Sequence, residues 1–351
     1  LGIEEARYGR PENQDRRDDD QGTFHSGGEI LHLAVPIGMV RIRGLRFYRG
    51  SRVIFENVDL DIPRGGVTAI MGPSGSGKST LVRMINRLIE PTAGRVLLDG
   101  VDVITMSARE LVELRRHKMS MVFQSFALLP HLSVIDNVAF GLRVAGVERK
   151  AARRRALEAL RLVGISEVAD HRPDQLSGGM QQRAGLARAW VTEPRIMLMD
   201  EAFSALDPLI RTEMQDALLE LQRTAKRTIV FISHDLGEAV RIADRIAVMA
   251  EGEIRQVGTP AEIIENPADD YVRAFFRDVQ PGRLFTTGDI AVPGEADAGG
   301  EPVAARSLLE DILPRAAASE APVPVADDNG RIIGFIDRTR LLQALAKGRE
   351  P

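Results

Sequence analysis

GPSGSGKST, residues 72–80, is the most informative segment of the chain for its architecture. An apolar run at residues 67–71 precedes it, and residues 80–88 after it carry apolar side chains at helical spacing. A strand, a glycine-rich loop and a helix in this order are typical of a phosphate-binding loop of the Walker A type. The glycines let backbone amides converge on phosphate oxygens, and the start of the helix adds the positive end of its dipole.

This loop predicts ATP and Mg²⁺ as the cofactors. The expected ATP-binding residues are Gly72, Pro73, Ser74, Gly75, Ser76, Gly77, Lys78, Ser79 and Thr80. We expect Lys78 to act as a catalytic group that reaches the β- and γ-phosphates, and Ser79 to ligate Mg²⁺.

A second motif, IMLMDE at residues 196–201, has the pattern of a buried strand that ends in two carboxylates. In an α/β sheet such a strand end faces the ligand. We expect Asp200 to hold the metal ion through water. Glu201 is the expected catalytic carboxylate, which polarises the attacking water as a general base or an orienting group.

Apolar runs alternate with helical patterns along residues 40–277, which predicts an α/β fold with a mainly parallel sheet. Residues 107–190 carry few strand signals and several helical ones, such as the amphipathic stretch 151–163. We therefore expect a helical subdomain inserted at about residues 107–190.

Residues 176–180 read LSGGM and are followed by QQR, and this stretch resembles the signature of the ABC ATPase superfamily. The resemblance implies a P-loop ATPase core whose signature loop contacts ATP held by the other subunit of a homodimer. The residues concerned are Leu176, Ser177, Gly178, Gly179 and Met180. The hydroxyl of Ser177 and the two glycine amides would begin a helix that faces the γ-phosphate.

Three shorter elements resemble the same superfamily. Gln124 in VFQSF resembles the Q-loop glutamine, which binds Mg²⁺ and nucleotide and couples to a membrane subunit. His234 in FISHD resembles the switch histidine that contacts the γ-phosphate, and is a predicted catalytic residue. The D-loop, expected at the dimer interface, corresponds to Ser204, Ala205, Leu206 and Asp207.

An aromatic ring that stacks on adenine is expected shortly before the phosphate-binding loop. Tyr48 is the preferred candidate, because stacking needs an exposed aromatic face. Phe47 and Phe55 compete with it, since an aromatic side chain in this region can simply fill the core.

The composition sets limits on the function. The chain has 351 residues, 44% hydrophobic and 27% charged, with a net charge of −4 and no cysteine. It therefore has no overall basic field that would attract nucleic acid, and we expect no nucleic-acid partner. No run of about 18 uncharged apolar residues is present, so we expect no segment of the chain to span a membrane by itself. The resemblance to ABC ATPases implies a peripheral protein at the cytoplasmic face of the inner membrane.

Composition also divides the chain. Residues 1–38 have few large apolar side chains and are expected to be a disordered or non-native tail, with Met39 as a hypothetical natural start. Residues 39–279 form the predicted ABC ATPase domain, and residues 280–302 a linker. Residues 303–347 resemble one CBS motif, a small α+β segment. That segment is either a regulatory element or a packing appendage.

A wider resemblance concerns the cargo. Residues 88–279 resemble the ATPase subunits of glycine betaine, proline and choline importers. The stretches that carry the likeness are NRLIEPTAG (86–94), MVFQSFALLPH (121–131), MDEAFSALDPLIRTEMQD (199–216) and ISHDLGEA (232–239). Met180, and Ala202 after the predicted catalytic Glu201, are typical of that group. The resemblance implies two membrane permease subunits and an extracytoplasmic substrate-binding protein as partners.

Three other interpretations remain open. Residues 43–75 are closer to the ATPases of phospholipid-trafficking importers. A soluble ABC-type switch that does not transport is a second alternative, although the chain has neither a duplicated ATPase unit nor a long coiled coil. A regulatory module that binds nucleotide without hydrolysis is a third, against which Asp200, Glu201 and His234 argue.

Overall fold

The computed structural model describes residues 39–277, 282, 285–294, 300–318, 321–327 and 329–346. The predicted tail, residues 1–38, and parts of the predicted linker lie outside the described residues. None of the described helices combines the length and the apolar character needed to traverse a lipid bilayer.

The described residues contain thirteen strands and twelve α-helices. The strands are β1 (Val40–Arg49), β2 (Arg52–Ile62), β3 (Val67–Met71), β4 (Ala93–Leu98), β5 (Val101–Asp102), β6 (Met119–Val122), β7 (Ile196–Asp200), β8 (Thr228–Ile232), β9 (Arg245–Ala250), β10 (Glu253–Gly258), β11 (Val303–Ala304), β12 (Val323–Ala326) and β13 (Ile332–Ile336). The helices are α1 (Lys78–Ile85), α2 (Ala108–His117), α3 (Val134–Val144), α4 (Arg149–Leu162), α5 (Gly178–Trp190), α6 (Pro208–Ala225), α7 (Leu236–Ile242), α8 (Pro260–Glu265), α9 (Asp270–Phe275), α10 (Thr287–Ile290), α11 (Leu309–Ala318) and α12 (Arg338–Ala346).

The central sheet has six strands in the order β10-β9-β3-β8-β7-β6. All its pairs are parallel except the antiparallel pair of β10 and β9. Strands β3, β7 and β8 are buried at every position, which explains why their sequences are mostly apolar. The predicted α/β fold with a mainly parallel sheet is confirmed. Because parallel strands end at one edge, the segments after β3, β7 and β8 meet there.

A separate antiparallel sheet, in the order β2-β1-β4-β5, lies beside this central sheet, and sequence analysis did not predict it. The two sheets and α1 share one apolar core, which includes Phe55 and Leu81. Glycines allow the close approach: a Cβ on Gly77 would lie 3.2 Å from the ring of Phe55. A Cβ on Gly72 would lie 1.8 Å from the carbonyl oxygen of Met249.

The helical insertion is shorter at its start than the predicted range of about 107–190. Strand β6 lies inside that range, yet Met119 to Val122 pair in parallel with Ile196 to Met199 of the central sheet. The helices α3, α4 and α5 between β6 and β7 form the insertion. Only two of the four residues of the edge strand β6 are buried, so its sequence carries a weak strand signal.

The C-terminal region forms a third sheet, in the order β11-β12-β13. Within the small α+β segment expected at residues 303–347, the structure has the strands β11, β12 and β13 and the helices α11 and α12. Asp327 closes the turn between β12 and β13, because its Oδ1 accepts hydrogen bonds from the amides of Asn329 and Arg331. The core of this region packs against Val240 of α7 and Ile264 of α8. Its resemblance to a CBS motif stays a prediction.

Candidate functional site

The phosphate-binding loop follows β3 and wraps around the ammonium group of Lys78. Lys78 Nζ donates hydrogen bonds of 2.8 Å to the carbonyl oxygen of Gly72 and 2.7 Å to that of Pro73. Burial lowers the pKa of Lys78, and the nearby Glu201 and Asp200 carboxylates oppose that shift. The loop therefore holds a buried cation close to two acids.

The rest of the loop fits a phosphate. Gly77 has a φ of +102° and begins α1, where no described side chain caps the free amides. Ser76 Oγ is buried and finds no hydrogen-bond partner among the described residues. Gly75 has a φ of +82° and faces open space. An anion at this helix start would satisfy the amides and the hydroxyl together. Of the other predicted loop residues, Pro73 and Ser74 are exposed, and Thr80 is half-buried in α1.

Asp200, at the end of β7, is fully buried and contacts α1 through both carboxylate oxygens. Ser79 Oγ donates a hydrogen bond of 2.8 Å to Oδ1, and Arg83 Nη2 donates one of 3.0 Å to Oδ2. Sequence analysis missed Arg83, although its position four residues after Ser79 puts it on the same face of the helix. Ser79 and Asp200 supply the oxygen ligands that Mg²⁺ prefers.

The described residues contain no cluster of three or more His, Cys, Asp or Glu side chains that would enclose a metal ion. Mg²⁺ usually binds through one or two protein oxygens together with phosphate and water, and Ser79 and Asp200 could supply such oxygens. Gln124, the third predicted Mg²⁺ ligand, contacts Glu201 in this structure.

Glu201 follows β7 with a left-handed backbone, φ +51°. Gln124 Nε2 donates a hydrogen bond of 2.8 Å to its Oε2, and His234 Nδ1 lies 3.8 Å from its Oε1. Gln124, Glu201 and His234, which come from three separate parts of the sequence, therefore meet at one edge of the central sheet. Strand β8 ends at Ile232, two residues before His234.

Gln182 of α5 supports this backbone and was missed by sequence analysis. It is buried, its Nε2 donates to the carbonyl oxygen of Glu201 at 3.1 Å, and its Oε1 accepts from the amide of Ala205 at 3.0 Å. Ser204 Oγ donates to the same carbonyl of Glu201 at 2.9 Å. Nothing in the sequence marks Gln182 for this role, because its two partners lie 19 and 23 positions further along the chain.

The signature loop begins α5. Ser177 is the N-cap residue and accepts a hydrogen bond from the amide of Met180, and Gly178 and Gly179 form the first turn. Leu176 before them is buried. In this chain the loop lies against the D-loop, since a Cβ on Gly179 would be 3.6 Å from Leu206 Cδ2.

The D-loop leads into α6. Asp207 caps that helix by accepting a hydrogen bond from the amide of Ile210 at 3.1 Å. Leu206 is buried, whereas Ser204 and Ala205 are exposed. The loop therefore presents small side chains at the surface while Leu206 anchors it.

Of the three candidate aromatic residues for adenine, Phe55 is 1% exposed and belongs to the core. Phe47 packs on it, with ring centroids 6.1 Å apart. Tyr48 is half-buried, and its hydroxyl lies 3.4 Å from Glu56 Oε1. This arrangement favours Tyr48 as the stacking residue, which stays a prediction.

Comparison with known proteins places the chain among relatives. Residues 55–204 match the family model described as ABC transporter. The glycine betaine/proline betaine transport system ATP-binding protein ProV of Escherichia coli is 61% identical over 236 residues, 67% of this chain. That match covers 59% of the ProV sequence, so the chain spans about three-fifths of the length of this relative.

Other matches cover a larger share of the related protein. The trimethylamine N-oxide transport system ATP-binding protein TmoW of Ruegeria pomeroyi is 48% identical over 83% of this chain and 86% of its own length. A solved dimeric structure of a bacterial ABC transporter cassette superimposes with a TM-score of 0.60 at 34% identity, over 63% of this chain and 98% of the cassette. The chain therefore belongs to the ABC transporter family, as one of its ATP-binding proteins.

Proposed function

We propose that this chain is the ATP-hydrolysing subunit of an ABC importer for small methylated amine solutes. The observation that carries the proposal is the convergence of Lys78, Asp200, Glu201 and His234 at one edge of the central sheet. A solved structure that resembles the chain is described as a post-hydrolysis state of an ATP-binding cassette bound to ADP and phosphate.

The proposed reaction is attack of water on the γ-phosphate of ATP. Glu201 would accept a proton from that water or orient it, and Gln124 and His234 would hold the carboxylate and the phosphate in place. Lys78 would offset negative charge that develops on the phosphate. Ser79 and Asp200, with Gln124, would hold Mg²⁺, which supplies further charge stabilisation.

A second copy would complete each ATP site. The D-loop and the start of α6 present exposed residues at the surface. These include Ser204, Ala205, Pro208 and Leu209, and Leu209 is 69% exposed. The second copy would cover this leucine, which lies beside the proposed nucleotide site. The signature loop of one copy would then face the phosphate-binding loop of the other, as in a head-to-tail dimer.

A groove next to the Q-loop is the proposed contact with a membrane permease subunit. It has a volume of about 380 Å³ and lies between the helical insertion and the central domain. Its apolar lining includes four exposed side chains, Leu88, Val112, Phe140 and Val144. Phe123, beside Gln124, also lines it. A short apolar helix or loop of a permease fits this groove, and occupancy there would place the chain at the cytoplasmic face of the membrane.

The transport systems to which the relatives belong support the cargo class. They include transport systems for glycine betaine and proline betaine, trimethylamine N-oxide, and choline. Each of these solutes carries a nitrogen with no hydrogen attached. These relatives favour amine solutes over the phospholipid alternative and over a switch that does not transport. An extracytoplasmic binding protein would select the solute.

Reconstitution tests the proposal. The chain, its permease and its binding protein are assembled in liposomes, and uptake of labelled glycine betaine, choline and trimethylamine N-oxide is measured with and without ATP. We expect ATP-dependent uptake of at least one amine, and its loss in Glu201→Gln. Phospholipid transfer without amine uptake would overturn the cargo proposal.

A further inference from the structure

Arg211 of α6 contacts two loops that the proposed reaction needs. Its Nη2 donates a hydrogen bond of 3.2 Å to the carbonyl oxygen of Leu206 in the D-loop. Its Nη1 donates one of 3.2 Å to Oδ2 of Asp235, the residue directly after His234. A guanidinium group presents donors in a fixed fork and can hold two acceptors at once.

Asp235 transmits this contact to the backbone beside His234. Its other oxygen, Oδ1, accepts a hydrogen bond of 3.1 Å from the amide of Glu238 and so caps α7. One carboxylate therefore both begins the helix after His234 and pairs with Arg211. A displacement of the guanidinium group would shift the start of α7.

A second contact from α6 holds the other side of this loop. Gln215, one helical turn after Arg211, donates a hydrogen bond of 3.0 Å from Nε2 to Oε1 of the buried Glu238. Glu238 is also hydrogen-bonded to Ser233, whose Oγ accepts from the amide of Asp235 at 3.0 Å. Helix α6 thus contacts Asp235 and Glu238 after His234 directly, and it is connected through Glu238 to Ser233 before it.

The side chain of His234 is 64% exposed and lies 3.8 Å from Glu201. Its position therefore depends on the backbone that Ser233 and Asp235 fix on either side. The D-loop carbonyl that Arg211 holds lies next to Ser204 and Ala205, which are exposed where a second copy is proposed to dock.

We propose that Arg211 is a positioning residue that ties the D-loop to the loop carrying His234. Through this tie, docking of a second copy on the D-loop sets the position of His234 against the γ-phosphate. The inference rests on the proposed function as far as it concerns hydrolysis. The tie itself is a property of the isolated chain.

The first test measures the tie without any reaction. Hydrogen exchange is compared for wild type, Arg211→Met and Arg211→Lys in the purified chain. We expect Arg211→Met to increase exchange both at the amides of Asp235 and Glu238 and in the D-loop, and Arg211→Lys to restore part of the protection. Arg223→Met is the matched control, since Arg223 lies on α6 and pairs with the exposed Glu220. Unchanged protection in both loops of Arg211→Met overturns the inference, whatever the transport assay gives.

The second test measures turnover in the assembled transporter. We expect Arg211→Met to lower kcat by about tenfold to 100-fold, because displacement of a positioned group has effects of this order. KM for ATP should stay within about twofold, since the phosphate-binding loop is intact. Asp235→Asn keeps a good capping residue but weakens the pair with Arg211, so it should also lower kcat.

When it is combined with Arg211→Met, Asp235→Asn should reduce kcat little further. The reason is that both substitutions affect the same contact, that between Arg211 and Asp235. Additive losses, or a raised KM with unchanged kcat, would contradict the tie. If Glu201→Gln did not reduce the turnover of the transporter, the proposed function would be overturned. The hydrogen-exchange result would still decide whether Arg211 connects the two loops.

Discussion

Gln124 Nε2 donates a hydrogen bond of 2.8 Å to Glu201 Oε2, although the two residues are 77 positions apart in the chain. This contact joins the loop beside the proposed permease groove to the proposed catalytic carboxylate. Binding of a permease in the groove can therefore influence the proposed catalytic carboxylate through one side chain, that of Gln124.

The first prediction concerns this contact. Gln124→Ala should lower the ATP turnover of the isolated chain, because it removes a proposed Mg²⁺ ligand and a hydrogen bond to Glu201. It should reduce the stimulation of turnover by the transporter's substrate by a larger factor than it reduces this basal turnover. The reason is that the carboxylate keeps His234 and its backbone contacts while the link to the groove is lost. Turnover is measured for the isolated chain and for the assembled transporter, with and without solute. Undiminished stimulation would contradict the proposed route.

The second prediction concerns the groove itself. Phe140→Asp should prevent co-purification with the permease, because a charge in an apolar contact is poorly tolerated. Phe140 is 43% exposed, so the fold should persist and the isolated chain should keep its ATP turnover. Leu162→Asp, at an exposed position on α4, serves as the control and should still bind the permease. Equal permease binding by the two variants would count against the groove.

The third prediction concerns the buried carboxylate of Asp200. Arg83→Met removes one of its two hydrogen-bond donors and should lower the free energy of unfolding by about 1–2 kcal/mol, a value reduced for the partial exposure of Arg83. Because Mg²⁺ with ATP would supply positive charge to the same carboxylate, its stabilising effect should be larger in the variant than in wild type. Urea unfolding with and without Mg²⁺ and ATP measures both changes. A smaller effect of Mg²⁺ and ATP on the variant would refute this explanation.

The fourth prediction concerns pH. Burial raises the pKa of the Glu238 carboxyl, and the hydrogen bonds from Ser233 and Gln215 offset part of that rise. A carboxyl whose pKa is raised on folding gives stability that is complete below its unfolded pKa and is lost as pH rises through the folded pKa. Titration of Glu238 should therefore lower the stability of the wild type as pH rises from about 4.5 towards neutrality. Glu238→Gln should lack this loss, because glutamine does not titrate.

Urea unfolding across this pH range measures the stability difference between Glu238→Gln and wild type. That difference should move in favour of glutamine as pH rises. Glu220→Gln, on the exposed part of α6, controls for the loss of one charge. A difference that is constant with pH, or that moves against glutamine, would show that burial does not dominate the titration of Glu238.

Much of the central sheet was predictable, because its strands β3, β7 and β8 are buried at every position and carry mostly apolar residues. The predicted run at residues 67–71 coincides with β3, and the helix predicted at 151–163 is α4, shifted by one or two residues. The antiparallel sheet was not predicted. Its strands β1 and β2 contain irregular pairing, which breaks the alternation of buried and exposed residues that marks such strands.

The site was predictable where short motifs carry the chemistry, as at Lys78 and Glu201. The supporting residues were not, because their partners lie far away in sequence. Gln182 and Arg211 matter through backbone carbonyls that only the folded chain brings to them. No local pattern marks a side chain whose role depends on the carbonyl oxygen of another loop.

The central claim is that one chain supplies only half of each ATP site, so that nucleotide joins two copies. Light scattering of Glu201→Gln, with and without ATP and Mg²⁺, tests it most directly, because this variant should bind ATP without consuming it. We expect the mass of two chains with ATP and of one chain without it. The mass of a single chain under both conditions, also in the presence of the permease, would contradict it.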